Sequence, residues 1–270
     1  EMATMVAEGM AVFASSGDNG AFECDNAGQS PVIPFAGNPK CVLYPAGDPN
    51  VVSVGGVTAP LNNDGTVRTQ FTAWGRQTTA GGDGTFSNNV GSGGGISTVF
   101  PAPPWQASLS DVAALGHGMR TQPDISLMAD PATGPLLVTD AFTATPAYGA
   151  TGGTSLSAPQ MAAMWSLVLQ ACSKDAVCNA KSSGARPFRL GNPAPLLYAI
   201  YGAKPQYAAT IFDVLYGNNG ANVASPAPAF DAGYLAGPGY DLVTGIGVPF
   251  AGHLINAILT EAGGTSPNLP

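Results

Sequence analysis

Along the 270 residues, apolar positions gather into short runs separated by long stretches rich in Gly, Asn and Pro. The opening segment, EMATMVAEGM, spaces its apolar residues like the end of an amphipathic helix, with Gly9 as its stop. Ala11 to Ala14 (AVFA) then reads as a short buried strand, and Ser15 to Gly20 (SSGDNG) as a loop. Val51 to Val57 (VVSVGGV) predicts another buried strand and Leu136 to Val138 (LLV) a third. From Ser155 to Cys172, SLSAPQMAAMWSLVLQAC is apolar almost all round, which predicts a helix buried in the middle of the domain and not lying on its surface. Strand followed by helix, repeated, argues for an α/β layered fold with a mostly parallel sheet. With no internal repeat and no dividing linker, residues 1–270 read as a single domain.

Composition narrows the function. With 45% hydrophobic residues the chain can bury a large core, which excludes a disordered tail. Nine basic against 17 acidic residues leave a net charge of −8, and only 10% of residues are charged, which argues against a nucleic-acid partner. Gly and Pro break every apolar stretch before it reaches the roughly 18 residues of a membrane span, so no membrane partner is expected. The 36 glycines and 24 prolines, with a pI near 4.4, suit a turn-rich secreted protein working in acid. Four cysteines allow three pairings; the nearest-neighbour pairing, Cys24 with Cys41 and Cys172 with Cys178, is the expected one. Neither pair has zinc or redox spacing, so disulfides and an oxidising compartment are expected. No basic start and apolar run opens the chain, so it is expected to be a processed or truncated product.

The strongest chemical signal is Gly152-Gly153-Thr154-Ser155-Leu156-Ser157-Ala158-Pro159, a Gly-rich turn that delivers a serine to the start of the long helix. Glycines let a substrate approach the backbone, and a helix N-terminus offers unpaired N–H groups to a developing oxyanion. A serine in that position can also be a plain N-cap. G-T-S-x-x-x-P opening a buried helix, however, resembles the nucleophile segment of the subtilisin superfamily, in which Ser155 matches the nucleophile. The histidine base of a subtilisin is not recognisable: His117 reads as a loop residue, and His253 follows the serine in chain order.

Ser15-Ser16-Gly17-Asp18-Asn19-Gly20 points to the subfamily. Where subtilisins carry an asparagine that donates to the tetrahedral oxyanion, the matching residue is Asp18. A carboxylate cannot donate and a carboxylic acid can, so the substitution implies work at a pH where aspartic acids keep their protons, near or below about 3.9. The bland alternative is an ordinary Asx-turn. S-G-D-x-G followed by G-T-S-x-x-x-P resembles the sedolisins, acid-acting serine-carboxyl peptidases. Tyr44-Pro45-Ala46, Val54-Gly55-Gly56-Val57, Ser92-Gly93-Gly94-Gly95-Ile96-Ser97 with Phe100-Pro101, and Pro123-Asp124-Ile125-Ser126 with Ala129-Asp130-Pro131 recur in that family in this order. The resemblance runs from about Gly9 to Pro249 and implies a subtilisin-like three-layer fold with a mostly parallel central sheet and a buried nucleophile helix. Asp124 and Asp130 read as buried, hydrogen-bonded loop aspartates with no catalytic role.

Asp213-Val214 and Gly237-Pro238-Gly239-Tyr240-Asp241 supply separated carboxylates and a turn of small residues, the hard oxygen donors that Ca²⁺ prefers. The resemblance implies a Ca²⁺ site at the carboxylates of Asp213 and Asp241 and the carbonyls of Val214, Gly237 and Gly239. It also implies a glutamate base for the serine, supported by an aspartate four residues later on the same helix. The four glutamates are Glu1, Glu8, Glu23 and Glu261, and none is followed by aspartate at that spacing. The base is therefore expected outside this chain, which reads as an N-terminally incomplete catalytic domain. Three explanations compete: a protease cut into two chains with a companion carrying the Glu/Asp pair, an inactive fragment, and a non-catalytic binding module. The first is preferred, acting on protein or peptide substrates in a secreted or acidic lysosome-like setting.

Overall fold

The computed structural model describes residues 1–23, 40–62, 66, 69–75, 90–139, 147–181, 189–223 and 229–263. Its elements run α1 (Met2–Ala7), β1 (Phe13–Ser15), β2 (Val52–Thr58), β3 (Thr72–Ala73), β4 (Gly95–Pro101), α2 (Pro104–Ala107), α3 (Ser110–Gly116), β5 (Met119–Gln122) and β6 (Ile125–Met128). There follow β7 (Leu136–Thr139), β8 (Ala147–Ala150), α4 (Thr154–Lys174), α5 (Ala176–Ala180), α6 (Ala194–Gly202), α7 (Lys204–Thr210) and β9 (Ile211–Phe212). The chain closes with β10 (Ala221–Val223), β11 (Ala229–Asp231), β12 (Val248–Pro249) and α8 (Ala251–Glu261).

The centre is a parallel sheet in which β2 lies between β1 and β6, with Phe13 opposite Val52 and Val54 opposite Ile125. β3 adds antiparallel to the end of β2. The expected helix over the first ten residues is present as α1, and Gly9 ends it with φ 83°. The first expected strand is found two residues later, as β1, half-buried instead of fully buried. β2 is buried almost throughout, because apolar side chains and glycines alternate with layers on both faces. A Cβ at Gly55 or Gly56 would overlap Ser126 and Pro123, or Ala129 and Trp74, so only glycine lets these segments close on the sheet.

Two expectations need correction. Leu136–Val138 is a strand, but it pairs antiparallel with β8, and Leu136 and Val138 are exposed. The third parallel strand is instead β6, a run of only four residues whose short apolar pattern carries no period. Likewise α4 is not buried all round. It buries Ser157, Ala158, Met161, Trp165, Val168 and Cys172, the spacing of one helical face, while Leu167 stays 49% exposed. The sheet and α8 cover that one face of α4. Expected on the helix's C-terminal side, Cys172 pairs with Cys178. The second expected pair involves Cys24, which lies outside the described residues. Among the described residues no helix is long and apolar enough to cross a membrane.

Candidate active site

Ser155 stands exposed in the first turn of α4, and the turn before it explains how it gets there. Gly153 takes φ 83° and donates its N–H to the carbonyl of Ala129 at 2.6 Å, which ties the turn between β8 and α4 to the end of β6. Glycine is required here twice over, because a Cβ would also run into the Asp18 carboxyl. Thr154 grips the loop that carries Asp18. Its backbone N–H donates to Asp18 Oδ1 at 2.7 Å, and its Oγ1 accepts the N–H of Gly17 at 3.1 Å. The same hydroxyl lies 2.8 Å from Asp18 Oδ1 and 3.0 Å from the Gly17 carbonyl, to one of which it gives its proton. Ser15 Oγ donates to the carbonyl of Thr154 at 3.0 Å. Asp18, 136 positions away in sequence, is thus bonded to the residue adjoining Ser155.

A second side of the same loop is held by glycine backbone. Gly91 N–H donates to the Asp18 carbonyl and Gly93 N–H to that of Gly17, both at 2.8 Å, and Gly20 N–H reaches Gly91 at 3.1 Å. Beneath the loop lies Glu23, buried, with Oε1 accepting the backbone N–H of Asn19 at 2.7 Å and Oε2 its side-chain amide at 3.2 Å. Burial pushes the Glu23 carboxyl up to about 8, against the lowering effect of both Asn19 bonds and with a further push from Asp18.

Ser155 at a helix N-terminus with Asp18 clamped beside it is the geometry of this site. The profile of the subtilase family matches residues 1–182. This chain belongs to the subtilases. Within them it is of the sedolisin type: it is 32% identical over 250 residues to sedolisin of Pseudomonas sp. (strain 101) and 31% over 263 to kumamolisin of Bacillus sp. (strain MN-32). Those matches cover 91% and 96% of this chain but 34% and 38% of the relatives, so the chain spans about a third of their length. A solved Pseudomonas sedolisin, described as a serine-carboxyl proteinase complexed with two molecules of pseudo-iodotyrostatin, superposes with TM-score 0.67 at 29% identity. It covers 97% of this chain and 57% of that one.

In this sedolisin-type subtilase neither histidine is hydrogen-bonded to Ser155 among the described residues. His117 caps α3 in the left-handed region, and His253 on α8 has Nδ1 against the Ala209 carbonyl. Asp124 is buried against Arg120, Tyr198 and the Ser53 N–H, as expected, whereas Asp130 is only half-buried, binding Thr58 Oγ1 and the Ala132 N–H. Neither Thr154 nor Glu23 stands out in the sequence as a site residue. Thr154 had a signal, its place between Gly153 and Ser155; Glu23 had only its closeness to Asp18 in the chain.

At the other end, Asp213 follows β9, and the turn 237–241 folds onto it. Gly239 N–H donates to Asp213 Oδ2 at 2.8 Å and Gly237 N–H to Asp241 Oδ2 at 3.1 Å, so both carboxylates share one turn. Asp241 Oδ1 accepts from Val243 N–H and Thr244 N–H, and burial pushes this carboxyl up to about 6. Asp213 Oδ1 is buried with no hydrogen-bond partner. Among the described residues no cluster of three or more His, Cys, Asp or Glu gathers, so the available donors are two carboxylates and backbone carbonyls. That set fits a hard cation such as Ca²⁺ and not a nitrogen- or sulfur-bound metal.

Proposed function

We propose that this chain is the serine-bearing part of an acid-acting serine-carboxyl endopeptidase. The observation that carries the reading is the clamp of Asp18 onto Thr154, which holds a carboxyl next to the nucleophile position. Ser155 Oγ attacks the peptide carbonyl carbon, and its proton passes to a glutamate carboxylate supplied by protein outside these 270 residues, either a preceding segment or a companion chain. Asp18, protonated at acid pH, donates to the oxyanion as the carbonyl becomes tetrahedral. The C–N bond then breaks, the amine leaves with the proton, and water hydrolyses the ester on Ser155. The partner is an unfolded or flexible protein or peptide, met in a secreted or acidic compartment.

Ca²⁺, when bound, supplies positive charge that favours ionised carboxylates in the C-terminal loops. The carboxylates of Asp213 and Asp241 and the carbonyls of Val214, Gly237 and Gly239 would hold it. The orphaned, buried Asp213 Oδ1 supports this assignment.

Purified protein in its native form is assayed on a quenched peptide across acid pH. Asp18→Ala is expected to lower turnover by about 10²- to 10³-fold and Ser155→Ala to abolish it. Full turnover in either variant excludes the assigned role. Denaturing mass spectrometry of the same preparation is expected to find the glutamate-bearing part, joined or separate. Its absence from an inactive preparation would leave the fold and remove the activity.

A further inference from the structure

We propose that Glu23 is a positioning residue that sets the geometry of the Asp18 loop and withholds the neighbouring Asn19 amide from the site. The inference rests on the peptidase reading for its catalytic consequence, but its structural content stands on the loop alone. Glu23 touches both flanks of Asp18. On one side its carboxyl packs on the α-carbon of Gly17, where any Cβ would overlap it. On the other it accepts both the backbone N–H and the side-chain amide of Asn19. Asp18 is therefore the residue between two fixed points, with its own carboxyl left to face Gly153 and Thr154.

The choice of donor follows from this arrangement. An asparagine amide donates to an oxyanion at any pH, and a carboxyl only while protonated. Asp18 and Asn19 are adjacent, and engagement of the Asn19 amide by Glu23 leaves the Asp18 carboxyl as the side chain of this pair that faces Thr154. Asp18 is also the charged group that acts on Glu23. Burial favours the protonated, neutral form of Glu23, whose carbonyl oxygen still receives the Asn19 backbone N–H. Glutamine reproduces this neutral form; alanine removes it.

The test compares the wild type, Glu23→Gln, Glu23→Ala and Asn19→Ala by hydrogen exchange of the segment Ser15 to Glu23 at acid pH, and by kcat and KM per titrated active site. Exchange is expected to be slow in the wild type and Glu23→Gln, and faster by on the order of tenfold or more in Glu23→Ala. Glu23→Ala is expected to lower kcat by roughly 10- to 10²-fold with KM within about twofold, whereas Glu23→Gln stays within about threefold of wild type. Asn19→Ala removes half of the clasp without emptying the buried position, and is expected to fall between the two. If Glu23→Ala does not fold, Asn19→Ala decides: wild-type exchange and kcat in that variant overturn the proposal. Unchanged exchange in Glu23→Ala, or a Glu23→Gln variant as impaired as Glu23→Ala, overturns it as well. Should the wild type show no peptidase activity, the peptidase reading falls while the exchange data still decide the clasp.

Discussion

Arg120 and Asp124 show at the residue scale what a buried charge needs. Both are inaccessible to solvent, and the guanidinium meets both carboxylate oxygens, at 2.7 and 2.6 Å. Asp124 further accepts from Tyr198 and from the Ser53 N–H, so its lone pairs are filled. Removing one partner leaves the other charged and dry, so Asp124→Ala is expected to cost about 3–5 kcal/mol in urea denaturation. Asp130→Ala, half-buried with two bonds, is expected to cost about 1 kcal/mol in the same experiment. Thr154→Val keeps shape and loses the hydroxyl that joins Gly17 to Asp18. It is expected to destabilise by roughly 1–3 kcal/mol and to lower turnover, with KM as the insensitive readout.

At the scale of elements, α4 carries both the core and the site. Its buried face places Trp165 and Met161 against the sheet and Trp165 near Phe13 of β1, with ring centroids 6.4 Å apart. Trp165→Ala is expected to cost about 3–5 kcal/mol by melting, and Leu167→Ala on the exposed face less than about 0.5 kcal/mol. Loss of register in α4 would move Ser155 and Thr154 together, so the first variant should also reduce activity. The helix ends in a disulfide with a sequence separation of 6, which ties it to α5. A loop that short gives about 2 kcal/mol by chain entropy, the expected loss in a double Cys172→Ser, Cys178→Ser variant.

On the scale of the whole molecule, Glu23 links stability to pH. Its folded carboxyl is pushed up to about 8, whereas an unfolded glutamate releases its proton near 4.5. Between these values the unfolded state binds fewer protons than the folded one, so stability falls as pH rises and the loss is complete above about 8. The melting temperature is expected to drop across that window, and Glu23→Gln to flatten the drop. The contribution of Glu23 is thus fully present in acid, where the proposed chemistry works. Much of this was legible beforehand: the helix from Ser155, the strand from Val51, the Cys172–Cys178 pair and the family all lie in local patterns or motifs. The position of β6, the exposure of the β7–β8 hairpin and the bare face of α4 were not, because short apolar runs look alike whichever element covers them. The sequence by itself determined which residues are the candidates for chemistry, since a serine after glycines at a helix start and an aspartate in a donor's place are statements about residue type. Only the tertiary structure decided that Asp18 is held by Thr154 and Asn19 by Glu23, because contacts across 136 positions, or a carboxyl's burial, arise from how layers stack and not from local spacing.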